Sequence, residues 1–288
     1  MSGRQPNFDA AFRLWNRGKG DAAERYAPIA MRPIAMRPIS IKANCARMDK
    51  ERDKLVGAMR AAARPGARAQ GGAYHGTQSA MLNLAAPDLR KIARTWVQAN
   101  QGLPEGDVLA LCDRLFCAPT HHEKTLAAIV LGYAHGARRT VSLKRLDRWL
   151  GHVHGWAEVD AVCMNVFKAE EMLGDWAGWK GLLTRLSRDA NINKRRAALV
   201  LLTGPVRYSD DARLSDLSFA LIERLKGERD ILITKAVSWL LRNLTLRHKQ
   251  EVAAYLKANG ASLPPIAVRE TTRKLKTGTK SGKSAKRS

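Results

Sequence analysis

The chain has 288 residues, 45% of them hydrophobic, which is enough apolar material for one large or two small cores and excludes a wholly disordered protein. Lys and Arg number 50 against 26 Asp and Glu, a formal net charge of +24, so the surface repels itself and seeks polyanions, either nucleic acid or an anionic membrane surface. The chain lacks the roughly 18 consecutive apolar residues of a transmembrane helix; Arg4, Asp9, Arg13 and Arg17 break up any secretory signal; and four scattered cysteines (Cys45, Cys112, Cys117, Cys163) form no disulfide framework and fit a reducing cytosol.

Residues 1–47 read as a poorly ordered N-terminal extension. They hold a tandem pentapeptide, Met31-Arg-Pro-Ile-Ala then Met36-Arg-Pro-Ile-Ser, whose two prolines block a helix. One short helix around Asp9–Asn16 is expected, and Met31, Met36 and Met48 are all candidate starts. From 48 to 262 the patterning predicts helices over 49–63, 87–99, 106–117, 121–134, 143–150, 156–168, 171–186, 192–202, 211–226, 229–244 and 247–258. Pro87 and Asp88 suit a first helical turn, and Thr120 to Glu123 reads as a capping box. Residues 263–288 read as a disordered tail; from Arg269 they are rich in Lys, Arg, Ser, Thr and Gly, without apolar periodicity, and able to touch phosphates without reading sequence. The class is all-α. Helix starts near 121, 156, 192 and 229 recur at about 36 residues, which predicts a right-handed helical-repeat (HEAT-like) solenoid with a concave basic face.

Three helices break their own pattern. In 231–244, at about 100° per residue, Ile233, Val237, Leu240, Leu241 and Leu244 share one arc and form the core stripe. Trp239 falls nearly opposite, with Lys235 four residues before it and Arg242 three after. That arrangement is either a helix covered on two sides or a stacking platform flanked by phosphate-binding cations. In 156–167, Val159, Val162, Cys163, Val166 and Phe167 form the apolar arc, extended by Trp156 and Met164, while Glu158 and Asn165 are expected to face water. Asp160 falls inside that arc, one turn from Trp156, where a carboxylate is expensive unless paired or working. It is either bonded to an Arg or a neighbouring helix N-terminus, or an acid beside an aromatic wall in a partly dry site. In 192–202, apolar nearly all round, Arg195 and Arg196 must reach out or pair inward, to a phosphate or a carboxylate.

These residues resemble the DNA alkylation repair enzyme family of AlkD-like glycosylases built from HEAT-like repeats. The resemblance covers roughly Tyr74 to Lys257. It rests on Tyr74 with the PDLRKIA start at 87–93, HHEKTLAAIVL at 121–131, Trp156-x-x-Val-Asp160, Arg-Arg-Ala-Ala at 195–198, and Lys235-Ala-x-x-Trp239-x-x-Arg242. The resemblance implies excision of alkylated purines from duplex DNA. Asp160 matches the catalytic acid, Trp156 and Trp239 the cleft tryptophans, Arg196 the cleft Arg, and Tyr74 a cleft aromatic, with the spacing from Tyr74 to Pro87 one residue short. Where the family often has Trp-Asp-x-Val-Asp, this chain has Ala157, one carboxylate fewer, which bears on substrate range more than on chemistry.

The chemistry is coherent. An N3- or N7-alkylated purine is cationic and already a good leaving group. One carboxylate can stabilise the oxocarbenium-like sugar and orient water, where a neutral glycoside needs a pair. Lys194, Arg195, Lys235, Arg242 and Tyr74 are the expected DNA-binding residues, and Arg196 with the Lys235/Arg242 pair is expected to grip phosphates flanking the lesion. No cofactor and no metal are expected: His152/His154 and Cys112/Cys117 lack the partners of a zinc site, and no phosphate-binding glycine loop is present. Glu123 reads as a cap before an acid. The expectation is a monomeric, cytoplasmic, nucleoid-associated glycosylase acting on double-stranded DNA containing alkylated purines, without a membrane. Its alternatives are a non-catalytic HEAT-like protein that binds branched or damaged DNA, and a helical protein scaffold.

Overall fold

The computed structural model describes residues 41–66 and 75–281, with backbone alone at 41–45, 165 and 166. The tandem pentapeptide, Tyr74 and residues 282–288 lie outside the described residues. The helices are α1 (Ile41–Ala62), α2 (Ala86–Ala99), α3 (Glu105–Phe116), α4 (His121–Tyr133), α5 (His135–Arg139), α6 (Leu143–Leu150), α7 (Gly155–Val166), α8 (Ala169–Gly174), α9 (Trp176–Leu186), α10 (Ile192–Thr203), α11 (Pro205–Tyr208), α12 (Ala212–Leu225), α13 (Ile231–Leu244), α14 (Lys249–Asn259) and α15 (Pro265–Thr277). The fold is all-α, and none of the described helices is long and apolar enough to cross a membrane.

Local chemistry sets the boundaries. Pro87 lies in the first turn of α2, where its missing N–H is not needed. Thr120 caps α4 by accepting from Glu123 N at 3.2 Å. The single helix expected over 171–186 is two, because Asp175 ends α8 and its side chain accepts from Gly178 N to start α9.

The helices stack in two rows. α4, α7, α10, α13 and α15 pack successively on one another, with α2 against α4 at one end. They start at 121, 155, 192, 231 and 265, intervals of 34, 37, 39 and 34, so the expected repeat of about 36 is present and runs one unit further. Helices α3, α9, α12 and α14 pack against α4, α10, α13 and α15 from the other row. Sandwiching explains α10, which is apolar nearly all round: every residue from Arg196 to Thr203 is buried. The predicted stripe of α13 (Ile233, Val237, Leu240, Leu241, Leu244) is fully buried, each such side chain contributing about 1.5–3 kcal/mol.

Two boundary expectations are corrected. The first repeat begins inside the expected extension, since α1 starts at Ile41 and buries Met48, Leu55 and Met59. The tail expected from 263 is helical over Pro265–Thr277 and buries Ala267, Glu270 and Thr271, and α15 packs on α13. Of those three buried side chains only Ala267 is apolar, and the helix as a whole is rich in lysine and arginine, so its composition reads as tail. Gly278, in the left-handed region at φ 73°, ends it by donating its N–H to Lys274 O.

Candidate active site

Helices α7, α10 and α13 meet through one pair of charges. Asp160, in the second turn of α7, accepts from Arg196 Nε at 2.9 Å and Nη2 at 2.8 Å, one bond to each carboxylate oxygen. Arg196 Nη1 donates to Leu232 O in the first turn of α13 at 2.5 Å. All three guanidinium nitrogens are therefore engaged, and Arg196 is 2% exposed. It holds Asp160 and is not placed to grip a phosphate as well. The Asp160 side chain keeps 10% of its surface open. Burial pushes its pKa above the usual 3.8, and Arg196 pulls the other way. One turn on, burial and then the charge of Asp160 push the Cys163 thiol well up, which makes it inert as a nucleophile.

Trp156, one turn before Asp160, is half-buried. His75 stacks on it with ring centroids 5.5 Å apart and planes 21° apart. Two glycines make this possible. Gly155 opens α7 at φ 69°, and a Cβ there would lie 2.0 Å from Gly76 O; Gly76 itself has φ 63°. The backbone at 75–76 thus lies directly on the start of α7. Beneath it, Glu158 is 1% exposed. It accepts from Thr77 Oγ1 at 2.7 Å, His154 N at 2.9 Å and Lys124 Nζ at 3.2 Å, and meets His121 Nδ1 at 3.4 Å. Burial alone would raise its pKa, but the bonds from His121, Thr77 and His154 with the charge of Lys124 bring it down to about 2. The expectation that Glu158 faces water is overturned. The segment after residue 75 covers that side of α7, which a single-helix pattern cannot show.

On α13, Trp239 is half-buried one turn after Lys235, on the helix that receives Arg196. Arg242 is not on an open basic face. It is 9% exposed and lies 3.4 Å from Glu270 of α15, the helix read as tail. Arg195 and Lys194 are not drawn to Asp160. Arg195 forks onto Glu228 at 2.8 and 3.1 Å, and Lys194 reaches Asp147 at 2.7 Å. Glu123 takes two bonds from Arg52, at 2.6 and 3.1 Å, beside its place at the α4 cap.

The family model described as "DNA alkylation repair enzyme" matches residues 55–275, most of the chain. The chain belongs to the DNA alkylation repair enzyme family. No curated protein matches it. A solved chain described as "Predicted DNA alkylation repair enzyme from Enterococcus faecalis" is similar in fold, with a TM-score of 0.57 over 70% of this chain and 91% of that one, at 18% identity.

In this DNA alkylation repair family chain, motifs carried by the resemblance fall on helices that pack in succession: α2, α4, α7, α10 and α13. The match also takes in α15 as far as Leu275, beyond the stretch carrying those motifs. Site residues missed in the sequence are His75, Gly76, Gly155 and Glu158, which build the wall behind Trp156. A weak signal existed in the paired His-Gly steps at 75–76 and 154–155, since glycine beside a bulky site residue marks close backbone approach.

Proposed function

We propose that this chain is a monofunctional DNA glycosylase that removes positively charged N3- or N7-alkylated purines, of the 3-methyladenine and 7-methylguanine type, from duplex DNA and leaves an abasic site. The observation that carries this reading is the Asp160–Arg196 fork at the junction of α7, α10 and α13, with half-buried Trp156 and Trp239 on two of those helices. The bond from sugar C1′ to the purine breaks with its electron pair moving onto the base, neutralising the charge the alkyl group put there. The sugar is left cationic. Asp160 faces that charge in a desolvated setting, where an oriented carboxylate acts without reorganising, and it orients the water that attacks C1′. Arg196 keeps the carboxylate ionised and fixed. The electron-rich indole faces suit a cationic sugar. The reaction needs no cofactor. The net charge of +24 suits a duplex lying on the basic concave surface of a HEAT-like solenoid, with the protein acting as a monomer in the cytoplasm at the nucleoid.

Release of 7-methylguanine or 3-methyladenine from methylated duplex by wild type and by Asp160→Asn tests the reading. The expected result is release by wild type and a loss of at least about a hundredfold in the variant; equal rates remove Asp160 from the chemistry. A second reading is favoured by one observation: Arg196 satisfies both oxygens of Asp160, as in a purely structural ion pair. The chain would then hold branched or damaged DNA without cutting it. Structure-selective binding with no base release at excess protein is the outcome that reading requires.

A further inference from the structure

Helix α10 holds the start of α7 at two points, and the fork is only one of them. Asn193, on α10 and 8% exposed, accepts from Gly155 N with its Oδ1 at 2.8 Å. Arg196 follows three residues later, one turn on, and takes Asp160, five residues beyond Gly155. Trp156 lies between the two attachments, directly after the held amide. A single ion pair leaves a helix free to pivot about it; a second bond in the preceding turn removes that freedom.

The second tether is built with care on both sides. Asn193 Nδ2 donates to Asn191 Oδ1 at 3.1 Å, which turns Oδ1 of Asn193 toward Gly155. Asn191 is the N-cap of α10; the same oxygen accepts from Asn193 N at 2.9 Å, and Asn191 N donates to Asp189 Oδ1 at 2.8 Å. On the α7 side, Gly155 N is a first-turn donor, which has no acceptor within its own helix, so without Asn193 it is buried and unmet. The amide before it, His154 N, goes the other way, to Glu158 Oε2 at 2.9 Å. Gly76 O closes the side where a Cβ on Gly155 would stand. Gly155 is gripped between the 75–76 backbone and α10.

We propose that Asn193 is a positioning residue of the Asp160 site: its bond to Gly155 N sets the placement of Trp156 and the aim of the Asp160 carboxylate at the sugar. The inference rests on the glycosylase reading for its reaction. Asn193 acts through the backbone of α7, because its amide is spent on Gly155 and Asn191. Small errors in the placement of reacting groups cost rate more than binding.

The test uses the full chain. Asn193→Leu keeps the shape of the side chain and removes the acceptor, with Asn193→Ala in its place should Leu not fold. Asn193→Asp keeps an oxygen for Gly155 N, and its charge falls in the first turn of α10, where the helix dipole suits an anion. Thr203→Val is the control, since it removes a buried hydrogen bond, Thr203 Oγ1 to Val200 O, at the far end of the same helix. Single-turnover release of 7-methylguanine from methylated duplex is followed against protein concentration. Asn193→Leu is expected to lose about tenfold or more in the saturating rate, with half-saturation unchanged and the acidic limb of the pH–rate profile in place, because the fork is intact. Asn193→Asp recovers the rate, and Thr203→Val matches wild type. In protein carrying isotopic nitrogen at glycine and tryptophan, the Gly155 amide should exchange faster and the Trp156 indole signal, assigned by its loss in Trp156→Phe, should move in Asn193→Leu and not in Thr203→Val. A full saturating rate in Asn193→Leu despite faster Gly155 exchange, or a loss that Thr203→Val shares, overturns the positioning role alone. No base release by wild type overturns the glycosylase reading, and an unmoved Trp156 signal overturns the hold of Asn193 on that wall whatever the activity.

Discussion

Replacing Arg196 by Lys keeps its charge but removes the fork, so Asp160 loses one of its two bonds and Leu232 O its donor. The carboxylate already sits above 3.8 because burial outweighs its partner, and weaker pairing must lift it further. If base release needs ionised Asp160, the acidic limb of the pH–rate profile lies above the ordinary carboxylate range and moves to higher pH in Arg196→Lys; rates measured across that limb check this. The stability linkage of the two buried acids is opposite in sign. Asp160, raised when folded, favours the fold below 3.8 and loses that contribution as pH rises through its folded value. Glu158, lowered from 4.5 to about 2, stabilises above 4.5 and loses its contribution as pH falls toward 2. The Glu158 shift corresponds to about 3 kcal/mol. Wild type should therefore lose stability between pH 4.5 and 2 more steeply than Glu158→Gln, read from denaturant midpoints at each pH. Asp160 announced itself in the sequence because a charge on an apolar arc is anomalous. Glu158 did not, because its partners Thr77, His121 and Lys124 lie 81, 37 and 34 residues away.

Helix α7 depends on a contact only glycine allows. A methyl group at Gly155 would meet Gly76 O at 2.0 Å and His75 O at 2.6 Å, and the residue sits at φ 69°. Gly155→Ala should destabilise the protein by about 2 kcal/mol or more. Because His75 and Trp156 move apart, it should also change tryptophan fluorescence below the melting transition; an unchanged spectrum with an unchanged melting point would contradict the packing described. At this scale the sequence was informative wherever a helix carries its own start signal: Pro87, Thr120 and the stripe of α13 all fall where patterning placed them. It failed at α15, whose buried positions Ala267, Glu270 and Thr271 are small or polar in a helix rich in lysine and arginine.

Along the row α4, α7, α10, α13 and α15, side chains about one repeat apart make the staples: Lys124 to Glu158, Arg196 to Asp160, Arg196 to Leu232, and Ser238 to Glu270. A row held by nearest neighbours needs a closing unit, and α15 closes the row beyond α13. Ending the chain at Ser262 would strip Leu263, Ala267 and Thr271 from the core and leave Ser238 and Arg242 without Glu270. Calorimetry should show a melting temperature lower by at least about 5 °C; an unchanged transition would mean that α15 carries no stability. Between Leu232 and Arg242, α13 advances ten residues, roughly 15 Å at about 1.5 Å per residue. Its two ends are both held: Arg196 pins the first turn through Leu232 O, and α15 pins the last turn through Glu270 and Lys274 at Arg242. The helix is thus a lever with a load at each end, and whatever loosens α15 reaches the Asp160–Arg196 fork through one rigid rod.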